Sequence, residues 1–97
     1  MSDRARAARI RTLIVDDEAL SRRGLVIRLE KAVDFQIVAE AANGREALSA
    51  IREHQPDLVF LDIQMPGLSG FDVLKELPTN SMPLIVFVNK LDRLSAS

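Results

Sequence analysis

The sequence predicts an α/β fold, a doubly wound parallel sheet in strand order 2-1-3-4, on three observations. Short apolar runs alternate with amphipathic stretches along the whole chain, which is the pattern of strands joined by crossover helices. The run Leu58-Val59-Phe60-Leu61 carries no polar residue, as a strand covered on both faces requires. Asp16-Asp17 and Asp62 each stand directly after such a run, which places acids at the carboxyl ends of two strands. Right-handed crossovers and the order 2-1-3-4 set the first and third strands side by side at the centre, and ligands of such sheets collect at the carboxyl ends where the order reverses.

Length and composition agree with a single domain. The chain has 97 residues, 47% of them hydrophobic and 28% charged, the usage of a soluble globular protein. The formal net charge of −1 supplies no general field toward nucleic acid or an anionic membrane, so neither is expected as a direct partner. With no cysteine, disulfides, thiolate metal sites and Cys nucleophiles are excluded. No apolar run approaches the roughly 18 residues of a membrane span, and no leader opens the chain, so a cytoplasmic location is expected.

The elements follow in order. Residues 1–11, MSDRARAARIR, set Arg4, Arg6, Arg9 and Arg11 against the single acid Asp3 and read as a flexible basic extension. Lacking an aromatic to stack a base, it reads as a solvated tail rather than a nucleic-acid arm. The domain proper spans 12–89. Leu13-Ile14-Val15 is a short buried strand ending in Asp16-Asp17-Glu18. Leu20, Gly24, Leu25, Ile27, Leu29 and Ala32 then recur roughly every three or four positions, a helix with one apolar face, capped by Asp17 or a neighbour, with Arg22 and Arg23 on a solvated side. FQIVAEA (35–41) alternates more and reads as an edge strand. Asn43-Gly44 breaks the chain, and Glu46 to His54 carries Ala47, Leu48 and Ile51 on one helical face before Pro56 stops it. The central strand ends at Asp62. QMPGLSG (64–70) is a turn-rich loop, 71–77 a short helix ended by Pro78, and Leu84-Ile85-Val86-Phe87-Val88 the fourth strand. Residues 90–97 form a tail.

Each acid alone is explained by a helix cap or a turn. Together, three carboxylates projected from neighbouring central strands repel one another in a partly dehydrated crevice, and a divalent cation resolves the conflict. A hard ion such as Mg²⁺ takes oxygen ligands, keeps several waters and accepts an incoming phosphate. One carboxylate can then attack phosphorus while the metal neutralises charge on the transferring group.

The segments LIVDDEAL (13–20) and LVFLDIQMPGLSGFDVL (58–74), with their spacing, resemble the CheY-like receiver domain of two-component response regulators over residues 11 to 88. FQIVAEAANGREAL and FLDIQMPGLSG are most similar to receivers attached to LytTR-type DNA-binding output domains. The resemblance implies that Asp62 is the phosphoacceptor, taking a phosphoryl group from the phosphohistidine of a sensor histidine kinase. It implies Mg²⁺ as cofactor, with Asp17 as the direct ligand, Asp16 contributing through water, Asp62 in the same set and the backbone carbonyl of Gln64 completing the site. Met65, Pro66 and Gly67 would shape the loop, and Gly70 would relieve crowding beside it. The activity implied is that of a signalling module rather than an enzyme, with at most weak self-phosphorylation or dephosphorylation.

The pattern departs from the family at its end. Asn89 stands where receivers place a Thr or Ser that grips the phosphoryl group, and no lysine matches the one they carry on a fifth strand, Lys90 being adjacent to Asn89 in sequence. The expectation is a truncated receiver that lacks the last helices and fifth strand, with impaired switching and with the edge of strand four open to pairing in a homo-oligomer. The alternative reading is a self-association module whose acidic pocket is vestigial. Asn89-Lys90-Leu91-Asp92 is similar to a guanine-recognition motif, but no G-x-x-x-x-G-K-[ST] loop accompanies it. His54, the only histidine, reads as a solvated helix terminus rather than a phosphoryl carrier.

Overall fold

The computed structural model describes residues 9–62, 75 and 83–88. They form a four-stranded parallel sheet of β1 (Ile10–Val15), β2 (Phe35–Ala41), β3 (Leu58–Asp62) and β4 (Leu84–Val88), with helices α1 (Ala19–Glu30) and α2 (Gly44–His54). The sheet order is β2-β1-β3-β4, as the alternation of apolar runs predicts. The helix expected at 71–77 lies outside the described residues except for Lys75, which is helical and exposed.

The period of two along each strand sorts the core. Leu13 and Val15 of β1 and Val59 and Leu61 of β3 point to one face, where they pack with Ala41 of β2 and with Ala47 and Ile51 of α2. Ile14, between Leu13 and Val15, is also fully buried and points to the opposite face, so both sides of β1 are covered. Phe60 shares that register on β3, and its ring lies 6.4 Å from that of Phe35 on β2. At the edge, Thr12 pairs with Ile37 and Leu13 with Ala39, so Val38 is an extra residue that bulges β2.

Helix α2 is defined locally at both ends. The Asn43 side chain accepts the Glu46 N–H at 2.8 Å, and the Glu46 carboxylate accepts the Ala42 N–H at 2.8 Å, a reciprocal cap that makes the expected chain break a helix start. At the far end Gln55 adopts φ 47°, a left-handed conformation that ends the helix before Pro56.

Two expectations are corrected here. Strand β1 starts at Ile10, so Ile10 and Arg11 belong to the sheet and not to the extension expected over 1–11. Arg11 is held there by tertiary contacts: its Nη1 donates to the carbonyls of His54 (2.6 Å) and Gln55 (3.0 Å), and its backbone N–H to Asp57 Oδ2 (3.0 Å). Helix α1 does not present one apolar face. Its buried residue is Val26, whereas Leu20 (89% exposed) and Ile27 (41%) turn outward. Seven positions place Leu20 and Ile27 within about 20° of each other around the helix, and about 100° or more from Val26.

Candidate functional site

Parallel pairing of Val15 with Leu61 brings the ends of β1 and β3 level, so the next residue of each strand, Asp16 and Asp62, emerges at the same edge. With Asp17 they offer three carboxylate oxygens that all lie within 4.8 Å of one another. Asp16 and Asp62 are 2% and 1% exposed, while Asp17 is open to solvent. The site is therefore a nearly dry acidic floor with one wet rim, at the carboxyl edge where the strand order reverses.

The turn that carries the first two acids is fixed from several sides. The Asp16 N–H donates to the Ala41 carbonyl at 3.0 Å, extending the β1–β2 pairing by one residue. Asp16 Oδ1 accepts the Glu18 N–H at 2.9 Å. Glu18 itself is the N-cap of α1 and makes no capping bond with its side chain, so the Asp16 bond closes a tight turn just ahead of the helix. Arg22, one turn into α1, donates from Nη1 to the Asp16 carbonyl at 2.7 Å and from Nε to Glu40 Oε1 at 3.1 Å.

Arg22 thus corrects a further expectation. Its side chain is 20% exposed and engaged with two strands, while Arg23 beside it is exposed. Arg22 and Glu40 are the residues near the site that sequence reasoning missed. Their only signal was an acid late in an edge strand and a base in the first turn of the preceding helix, a pairing that needs the fold to be seen.

The donor set fits a hard cation: three carboxylates, with no imidazole or thiolate among them. Bringing three such groups together costs like-charge repulsion that an ion would relieve. Gln64, Met65, Pro66, Gly67, Gly70 and Asn89, also expected at the site, lie outside the described residues, as does the Asn89-to-Asp92 stretch. His54 closes α2 with its ring partly exposed and its Nε2 3.8 Å from Glu53 Oε2, and its carbonyl accepts Arg11. Grooves of about 240 and 400 Å³ run along β2, α1 and the turn after it, lined by Glu30, Ile37 and neighbours and by none of the three acids.

A family model described as the response regulator receiver domain matches residues 12–95. The chain belongs to the response regulator receiver family. The match runs past residue 89, through most of the tail that the sequence reading separated from the domain. The transcriptional regulatory protein BtsR of Salmonella typhi is 46% identical over 83 residues, a stretch that covers 86% of this chain and 35% of that protein. The chain thus spans about a third of the length of such relatives. Among solved structures, the response regulator domain of Thermotoga maritima CheB superposes with a TM-score of 0.75 at 36% identity, covering 86% of this chain and 62% of that one. A structure of the P1 domain of CheA3 in complex with CheY6 from R. sphaeroides matches with a TM-score of 0.77 at 32% identity, covering 93% of this chain and 70% of that one. Receiver membership makes this a signalling domain rather than a conventional enzyme. Among the described residues no helix is long and apolar enough to cross a membrane.

Proposed function

We propose that this receiver accepts a phosphoryl group on Asp62 from the phosphohistidine of a sensor histidine kinase, in the cytoplasm, with Mg²⁺ bound by Asp16, Asp17 and Asp62. The observation that carries this reading is the convergence of the three carboxylates within 4.8 Å at the carboxyl ends of β1 and β3. A structure in the same fold holds CheY6 in complex with the P1 domain of CheA3, which supports a CheA-like phosphodonor, the histidine kinase that the resemblance implies.

Bound Mg²⁺ would neutralise charge on the oxygens of the transferring phosphoryl group. The chain's own residues do the rest. A carboxylate oxygen of Asp62, held at the end of β3, attacks phosphorus; the P–N bond to the donor imidazole breaks, its electron pair leaves with the nitrogen, and an acyl phosphate remains on Asp62. Asp17, on the open rim, would offer an oxygen to the ion, and Asp16, whose side chain fixes the turn through the Glu18 N–H, would contribute through water. On the family pattern the Gln64 carbonyl would complete the ligand set, and Met65, Pro66, Gly67 and Gly70 would shape the loop. Asn89 in place of a hydroxyl weakens the switch, because its amide lacks the rotatable O–H that would follow the phosphoryl group. The similarity to BtsR, a transcriptional regulatory protein, supports a transcriptional output for the switch, of the LytTR type that the sequence resemblance implies.

The test is incubation with Mg²⁺ and a small phosphodonor followed by intact-mass measurement. A gain of one phosphoryl group that requires Mg²⁺ supports the reading; no gain with the chain folded would leave the acidic pocket vestigial.

A second copy of the chain is the further partner proposed. Leu84, Val86 and Phe87 of β4 are 69%, 37% and 41% exposed, and among the described strands β4 has one neighbour, β3. Apolar side chains on such a strand favour pairing between copies.

A further inference from the structure

Arg22 uses its guanidinium as a bridge between two strands. Its Nη1 donates 2.7 Å to the carbonyl of Asp16, at the end of β1, and its Nε donates 3.1 Å to Glu40, near the end of β2. The ion pair with Glu40 is partly exposed, its carboxylate 43% so, and such pairs contribute little stability by themselves. The geometric consequence is larger. The Asp16 carbonyl belongs to the peptide that joins Asp16 to Asp17, so its direction sets where the Asp17 side chain departs. Arg22 holds that peptide by its carbonyl, while the peptide before it is fixed by the Asp16 N–H bond to Ala41 and the Asp16 side chain by the Oδ1 bond to Glu18.

We propose that Arg22 is a positioning residue for the acidic site: by tying the Asp16 carbonyl to Glu40 it aims the Asp16–Asp17 turn at a divalent cation. The inference rests on the acids being a Mg²⁺ site, and it adds a residue that contacts no ion. Mg²⁺ demands near-ideal octahedral geometry, whereas Ca²⁺ tolerates irregular coordination, so misplacing a ligand penalises Mg²⁺ more. Electrostatics alone has the opposite sign. A guanidinium beside three carboxylates repels an incoming cation, and its removal would tighten binding of both ions. Positioning and charge are therefore separable by the direction of the change.

The experiment titrates Mg²⁺ and Ca²⁺ calorimetrically into the 97-residue chain and into Arg22→Met, Arg22→Lys and Glu40→Gln, with thermal unfolding recorded for each. Arg22→Met should weaken Mg²⁺ binding about tenfold, the scale typical of residues that orient metal ligands, and Ca²⁺ binding by less. Arg22→Lys, able to keep one of the two bonds, should fall between, and Glu40→Gln, whose amide oxygen still accepts from Nε, should stay close to the parent chain. Folded Arg22→Met with Mg²⁺ affinity equal to or above the parent would overturn the role of Arg22. Should Arg22→Met fail to fold, unchanged Mg²⁺ affinity in Arg22→Lys overturns it instead. Absence of Mg²⁺ binding by the parent chain overturns the metal site itself, a distinguishable outcome.

Discussion

The carboxylates of Asp16 and Asp62 lie within 4.8 Å of each other although two helices and a strand separate them along the chain. The Val15–Leu61 pairing makes them neighbours, and their near-complete burial makes the proximity expensive. An ion that binds only the folded chain converts that cost into ligand-dependent stability.

Thermal stability should rise with Mg²⁺. At a hundredfold excess over Kd, binding to the native state alone adds about 2.7 kcal/mol. For a domain of this size that corresponds to a melting temperature about 10–20 °C higher. Asp17→Asn should remove most of the rise. A melting curve indifferent to saturating Mg²⁺ would count against the site.

Two leucines should behave differently under the same substitution. Leu61, fully buried in the main cluster, should lose about 3 kcal/mol on replacement by alanine, as buried leucines do. Leu20, 89% exposed on α1, should change stability by less than about 0.5 kcal/mol. Urea denaturation of both variants checks the outward orientation of Leu20 directly, and equal losses would refute it.

Asn43→Ala should destabilise the chain by about 1 kcal/mol through loss of the bond to the Glu46 N–H. Asn43→Gly, which keeps the cap conformation accessible, should cost only a few tenths. If both variants unfold at the parent's urea midpoint, the reciprocal cap does not hold α2.

Self-association should be visible in sedimentation at micromolar concentration and should be lost in Val86→Lys, since a charge on β4 blocks pairing between copies. A parent chain that sediments as a monomer throughout would remove the second copy as a partner.

Much of the architecture was legible because it is written in local pattern. The apolar runs at 13–15, 58–61 and 84–88 and the acids that follow the first two placed three strands and the site edge correctly. What escaped depended on tertiary contacts. The start of β1 at Ile10 hides behind Arg11, a residue that reads as solvated until the end of α2 supplies carbonyls for its guanidinium. The buried side of α1 hides because its apolar residues surround the helix, so spacing alone could not single out Val26 over Leu20. Arg22 and Glu40 meet only once β2 lies beside β1.

Mapping the phosphoryl group tests the proposed chemistry most directly. After reaction with Mg²⁺ and a small phosphodonor, reductive trapping of acyl phosphates and peptide mass analysis should place a single modification on Asp62, absent when Mg²⁺ is chelated and absent in Asp62→Ala. A modification of the same extent in folded Asp62→Ala, or one carried by another residue of the parent chain, would contradict it.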